Sequence, residues 1–246
     1  MSFSAPTLIR LLTRVTDVEA SAPARSLSDS LSQWLGWTDA IALSGALKSS
    51  PGTTASEPLR SVADQSALLE REQREFDRVR ASLVTGIKGQ GAPLASARRG
   101  SRAAPALRPR TLDVDFAIHR QRYVALQHTM ELALAHLRVR LRTTLATLTP
   151  GMNRLAVMDA VMEQVLDARQ RSLLAGVPAL LGTHFQRLQA GEEAAIAARD
   201  PASTVPPIVP GTWLNTFRED MQSVLLAELD IRLHPAQGLM AALRAC

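Results

Sequence analysis

The chain of 246 residues has a single cysteine, Cys246, at its last position. An internal disulfide is therefore impossible, and so is a zinc site built from several cysteines of one chain. Aromatic residues make up 4% of the sequence, with one tyrosine, Tyr123. Strands favour aromatic and β-branched side chains, while Ala, Leu, Arg, Gln and Glu favour helix, so the composition points to an all-α protein. Long apolar runs are missing too. The stretches 132–137 and 177–181 fall far short of the roughly 20 residues that span a bilayer. The opening MSFSAPTLIRLLTRVTDVEA places no basic cluster ahead of its apolar part, and Asp17 and Glu19 argue against a transit peptide. A cytoplasmic location is the expectation, in keeping with the sparing use of cysteine.

Lysine is nearly absent: Lys48 and Lys88 are the only two, and the remaining basic residues are arginine. Lys plus Arg exceed Asp plus Glu by 28 to 23, a formal charge of +5. The excess is local. Residues 89–110, GQGAPLASARRGSRAAPALRPR, contain Arg98, Arg99, Arg102, Arg108 and Arg110 and no acid, while the rest of the chain balances. With so few large apolar residues this stretch cannot offset its ordering entropy, and it reads as a disordered basic linker.

Around that linker the hydrophobic spacing is helical. Residues 1–47 read as short N-terminal helices, one carrying Leu8, Leu11, Leu12 and Val15, a second starting near Ser26, and a third carrying Ile41, Leu43 and Leu47. Residues 57–88 read as one long amphipathic helix. Its narrow seam Val62, Leu69, Phe76, Val79 and Leu83 lies amid the charged string EREQREFDRVR, as in coiled coils. Residues 111–246 read as an antiparallel helical bundle. Its spine is a helix from Thr111 or Asp113 to about Thr147, with Tyr123, Met130, Leu134, Leu137, Leu141 and Leu145 on the core face. Thr149-Pro150-Gly151 turns the chain into a helix whose expected core face includes Leu155 and Leu173. A break at Gly176 starts another helix, and the proline-rich 200–211 leads to a last long one. Pro235 is expected to end that one, with a short helix Leu239–Arg244 after it.

Three strings are familiar together: LSQWLGWTDAIALSGAL at 31–47, VMEQVLDARQRSLLAGVPALLGTHFQRL at 161–188, and PGTWLNTFREDMQSVLLAELDIRLHPAQGLMAAL at 210–243. With them the chain resembles a family of uncharacterised proteobacterial all-helical proteins, a domain of unknown function. The resemblance covers nearly the whole chain and brings no catalytic or ligand-binding residue with it. It implies a cytoplasmic partner of a cell-envelope complex.

Constellations that carry chemistry are scarce. No Gly-x-Ser-x-Gly elbow and no Gly-rich phosphate loop ending in Gly-Lys-Ser/Thr occurs. His128 and Glu131 stand at i, i+3, a spacing that helical metal sites use, but no second such pair accompanies them. Asp159, Glu163 and Asp167 form an acidic row at four-residue steps, and Arg138 and Arg142 a basic row on the preceding helix. If those helices are antiparallel neighbours the rows face each other, as paired charges rather than as an acid–base site. Trp34 and Trp37 flank Gly36. Their expected place is the core, with an interface role as the alternative, since tryptophan is enriched at binding hot spots.

These readings converge on a non-enzymatic helical interaction protein, with no catalytic, cofactor or metal residue and no small-molecule ligand indicated. Its partner, another protein or a second copy, would meet the seam Val62, Leu69, Phe76, Val79 and Leu83, or Trp34 and Trp37; own-chain packing of the seam is the other option. The alternative function is nucleic-acid binding through Arg98, Arg99, Arg102, Arg108 and Arg110, which can contact phosphates but have no aromatic residue beside them for base stacking.

Overall fold

The computed structural model describes residues 7–16, 29, 34, 36–48, 62–89, 115–199 and 211–245. The chain is all-α, and no strand occurs among the described residues. The helices are α1 (Thr7–Thr16), α2 (Trp37–Lys48), α3 (Val62–Lys88), α4 (Phe116–Ala146), α5 (Pro150–Leu174), α6 (Val177–Ala197) and α7 (Thr212–Arg244). The expected helix near Ser26 and the basic linker fall largely outside the described residues.

Local chemistry sets the helix starts. The Asp115 carboxylate accepts the Ala117 N–H at 2.9 Å, so α4 begins at Phe116, later than the Thr111 or Asp113 start read from the sequence. Thr149, extended at φ −136° and ψ 158°, accepts the Met152 N–H, and Pro150 occupies the first position of α5, where a missing N–H costs nothing. Gly36 precedes α2, and Asp39 in the first turn reaches back to accept the Gly36 N–H at 3.0 Å.

Two compact units form, each from three stretches of chain. Unit 1 comprises residues 1–20, 84–128 and 176–229. Its core joins α4, α6 and α7 through rings: Phe185 meets Trp213 edge-on at 4.7 Å and Phe217 at 5.0 Å, while Phe116 stands 5.5 Å from Phe185. Leu8 and Val15 of α1 are buried here, and α1 packs against α6. Unit 2 comprises residues 21–83, 129–175 and 230–246. Its core holds Phe76 and Leu83 of α3, Met130, Leu134, Leu137, Leu141 and Leu145 of α4, and Leu233, Leu239, Met240 and Leu243 of α7. Here α2 packs on α5.

Two expectations are corrected. Pro235 lies inside α7, which continues to Arg244. A proline there removes one backbone bond and crowds the preceding turn, at a cost of about 3 kcal/mol. Buried Leu233, Ala236, Leu239 and Met240 flank it, and apolar burial of about 1.5–3 kcal/mol for each large side chain outweighs that cost. Along α5 the expected core residues Leu155 and Leu173 are exposed, while Ala156 and Leu174 turn inward. The inner side of α5 is held partly by charge.

Gly182 lies close against Phe116: a methyl group built there would stand 2.9 Å from the Phe116 ring. Gly191, on the same helix, has nothing within 4 Å of such a group. The two positions should respond oppositely to alanine. Gly182→Ala should lower stability by about 1 kcal/mol, overpacking of about 1–3 kcal/mol exceeding the helix-propensity gain of about 1. Gly191→Ala should raise it by up to about 1 kcal/mol. Urea midpoints at constant m-value measure both, and a midpoint for Gly182→Ala above that of the parent would contradict the packing.

Candidate functional site

The polar groups of unit 2 are organised by charge. Arg138 reaches Asp159 at 2.7 Å and Glu163 at 3.1 Å, and Arg142 reaches the same two carboxylates at 2.9 and 2.6 Å. The two rows legible in the sequence do face each other across α4 and α5. Asp167 departs from its row and pairs with Arg171 along α5. Burial pulls the Arg142 guanidinium towards its neutral form, but hydrogen bonds to Glu163 and Asp159 outweigh that and hold it more basic than usual. A fourth carboxylate was not picked out from the sequence, although its spacing from Leu69, Phe76 and Val79 places it on the seam. Glu72 on α3 is fully buried and takes a two-pronged contact from Arg140, Nε at 2.6 Å and Nη2 at 3.1 Å, with Arg71 at 3.4 Å. The hydrogen bond to Glu72 raises the Arg140 guanidinium above its ordinary value.

Three polar centres stand out among the described residues of unit 1. Glu228, fully buried, accepts the Tyr123 hydroxyl at 2.6 Å and the Gln127 amide at 3.0 and 3.1 Å. His184 meets Asp220 through Nε2 at 2.8 Å and Arg187 through Nδ1 at 3.0 Å. Arg187 also donates to the Val15 carbonyl at 2.7 Å, and Arg14 pairs with Asp220 at 2.7 Å. A His–Asp pair suggests a general base, yet both ring nitrogens of His184 are engaged, one by a carboxylate and one by a guanidinium. The arrangement is a clasp that binds α1 to α6 and α7. Glu192 of α6 serves the start of α7: its carboxylate accepts the N–H groups of Gly211, Thr212 and Trp213 at 2.8, 3.0 and 3.4 Å and the Thr212 hydroxyl at 2.8 Å. Desolvation pushes the Glu192 carboxyl up, but these donors, the Gly211 N–H first, hold it below the ordinary carboxylate range.

A family model described as Protein of unknown function (DUF3348) matches residues 1–245. The chain belongs to this family. Being of unknown function, the family transfers no residue role to these centres. No curated protein and no solved structure matches the chain.

The candidate residues read from the sequence are distributed unevenly. Phe76 and Leu83 are buried inside unit 2, and Leu69 and Val79 are half-buried, so most of the seam is covered by its own chain. Val62 opens α3, and its side chain lies outside the described set, as do Arg98, Arg99, Arg102, Arg108 and Arg110. His128 is exposed, and Glu131 pairs with Arg232 at 3.2 Å. No group of three or more His, Cys, Asp or Glu able to hold a metal ion occurs among the described residues, and no helix among them is long and apolar enough to cross a membrane.

The tryptophans reverse their expected place. Trp37 is 83% exposed at the start of α2, and Trp34 is 37% exposed beneath the guanidinium of Arg169, whose carbon lies 5.4 Å from the ring centroid. Gly36 separates them from one continuous helix, and α2 packs on α5. Ile41, one turn on from Trp37, is 58% exposed. On α4, Leu132 and Val139 stand seven residues apart and are 51% and 53% exposed.

Two outcomes test the charge centres. Glu72→Ala leaves Arg140 facing a desolvated space. It should cost about 2–3 kcal/mol, below the 3–5 typical of a fully buried pair because Arg140 is partly exposed; a loss under about 0.5 kcal/mol in denaturant melts would show that the pair carries nothing. For Glu192, a depressed carboxyl stabilises the fold fully above its unfolded pKa of about 4.3 and loses that contribution as pH falls through the lower folded value. Glu192→Gln should therefore be less stable than the parent at pH 7, with the gap closing below about pH 4. A gap that stays constant from pH 7 to pH 3 would exclude the ionised cap.

Proposed function

We propose that this protein is a helical interaction protein that works by non-covalent docking, with a cytoplasmic location and a cell-envelope complex as the setting implied by its family resemblance. The observation that carries the reading is the exposed aromatic and apolar face of unit 2 led by Trp37 and Ile41. A tryptophan side chain contributes about 150–250 Å² of burial when covered, and it is over-represented among the few residues that dominate binding energy. Leaving one 83% exposed, while smaller apolar groups fill the core, wastes that area unless something covers it. The polar centres support the same reading. The His184, Glu72 and Glu228 groups are each engaged by neighbouring side chains, which suits them to holding helices together rather than to turning over a substrate.

The alternative, a nucleic-acid-binding accessory role, rests on Arg98, Arg99, Arg102, Arg108 and Arg110, none of them among the described residues.

Trp37→Ala and Ile41→Ala should leave the melting temperature nearly unchanged, since exposed substitutions shift stability by under about 0.5 kcal/mol. Both should weaken the complex at least tenfold, a loss of about 1.4 kcal/mol. The measurement is affinity purification from the native host followed by titration of the recovered partner, with light scattering at tens of micromolar to register self-association. A monomeric parent whose co-purifying proteins are the same for parent and Trp37→Ala would sink the reading.

A further inference from the structure

Residues 129–146 of α4 belong to unit 2. Along this stretch Leu132, Ala135, His136, Val139, Thr143 and Ala146 are exposed. They follow one another in three- and four-residue steps and so form one continuous stripe. Leu132 and Val139, 51% and 53% exposed, are its large apolar groups. No Asp, Glu, Lys or Arg stands among them, although such residues make up 21% of the chain. The charged residues of the same stretch lie to either side of the stripe and are engaged inside the unit. Glu131 pairs with Arg232, Arg138 and Arg142 with Asp159 and Glu163, and Arg140 with Glu72. The Thr143 hydroxyl donates to the Val139 carbonyl at 2.9 Å, so that group is satisfied within the helix.

Such a stripe restricts what can cover it. A partner that laid charged groups on Leu132 and Val139 would strip their hydration without gaining an ion pair, because the stripe offers no charge. The matching surface is another uncharged stripe that mixes apolar and small side chains. This stripe matches itself when a second copy runs antiparallel to it. Leu132 then stands against Val139 of the second copy, and Val139 against the second copy's Leu132. Ala135 and His136 straddle the two-fold axis, where the small Ala135 lets the helix axes approach to about 8 Å. The seven-residue step from Leu132 to Val139 keeps both contacts on the seam of a helix pair. Each contact occurs twice, as a two-fold interface requires.

We propose that two copies of this chain associate antiparallel through the α4 stripe of unit 2. The surface is distinct from the α2 face led by Trp37 and Ile41 and does not depend on the reading of that face. A single helix stripe supplies less than the roughly 800 Å² per partner of a standard interface. The dimer is therefore weak and forms reversibly as concentration rises.

The test is sedimentation equilibrium and light scattering of the full chain from about 1 to 300 μM. The average mass should rise smoothly towards twice that of the chain. Leu132→Glu and Val139→Lys, both exposed changes, should each keep the circular dichroism spectrum and melting temperature of the parent. Each should weaken self-association at least tenfold, about one decade in Kd, since a lone charge then faces an apolar group. The double variant, Leu132→Glu with Val139→Lys, should return to within about threefold of the parent affinity. Antiparallel packing sets the two new charges opposite each other, whereas parallel packing would set like against like. Trp37→Ala should self-associate as the parent does, which separates this outcome from that of the α2 face. A parent that stays at the mass of one chain throughout, single variants that associate as the parent does, or a double variant no better than either single one would each overturn the proposal. So would a monomeric parent whose co-purifying protein is lost in Leu132→Glu and kept in Trp37→Ala, which gives the stripe to a different protein.

Discussion

A carboxylate removed from water must be met by donors that stay in place, and in each unit one such group restricts which helix faces can meet. Glu72 in unit 2 and Glu228 in unit 1 are both fully buried. Apolar burial supplies most of the free energy of packing, but it is non-directional, and a leucine-rich face tolerates several rotations of its neighbour. A desolvated charge does not, because a one-turn slip would strand it at a cost of several kcal/mol. Arg140 can reach Glu72 with two prongs in only one register of α3 against α4. Tyr123 and Gln127, one turn apart on α4, reach both oxygens of Glu228 in only one register of α4 against α7.

The same principle governs the shorter and more weakly packed elements. Helix α1 buries only Leu8 and Val15 among its ten residues, too little apolar surface to settle its position alone. The His184 clasp completes the attachment through Arg187 on the Val15 carbonyl and Arg14 on Asp220. Helix α5 is likewise held to α4 by four ion-pair contacts from two arginines to two carboxylates, all of them less than a quarter exposed. With much of the interior polarity committed to holding helices, what faces outward becomes informative: exposed Trp37 and Ile41 in unit 2.

How much of this was legible depended on whether the signal was local. The α4 core face from Tyr123 to Leu145 and the facing charge rows follow from three- and four-residue steps and from a turn, Thr149-Pro150, too short to allow anything but an antiparallel neighbour. The Trp34 and Trp37 positions could not be read that way. A large aromatic side chain suits a core and an interface equally, and the choice rests on tertiary packing. Pro235 failed for a related reason: its local penalty is fixed, but the burial on either side that outweighs it is a property of the packed helix. Glu72 stands three residues after Leu69 and seven before Val79, so its spacing places it on the seam, unlike Glu70 and Glu75; what hid it was its charge, in a string whose other charged members are exposed or half-buried.

The amino-acid sequence by itself determined that the chain is helical, where most of its helices run and which stripes of α4 and α7 are apolar, because helix periodicity and capping act over a few residues. It also determined that the chain lacks an internal disulfide and a recognisable nucleophile or phosphate loop. Only the tertiary structure decided that the seam of α3 is largely covered by its own chain and that Trp37 is left outside. Those outcomes depend on contacts between residues far apart in the chain, and no local preference of the backbone encodes which distant side chain will arrive.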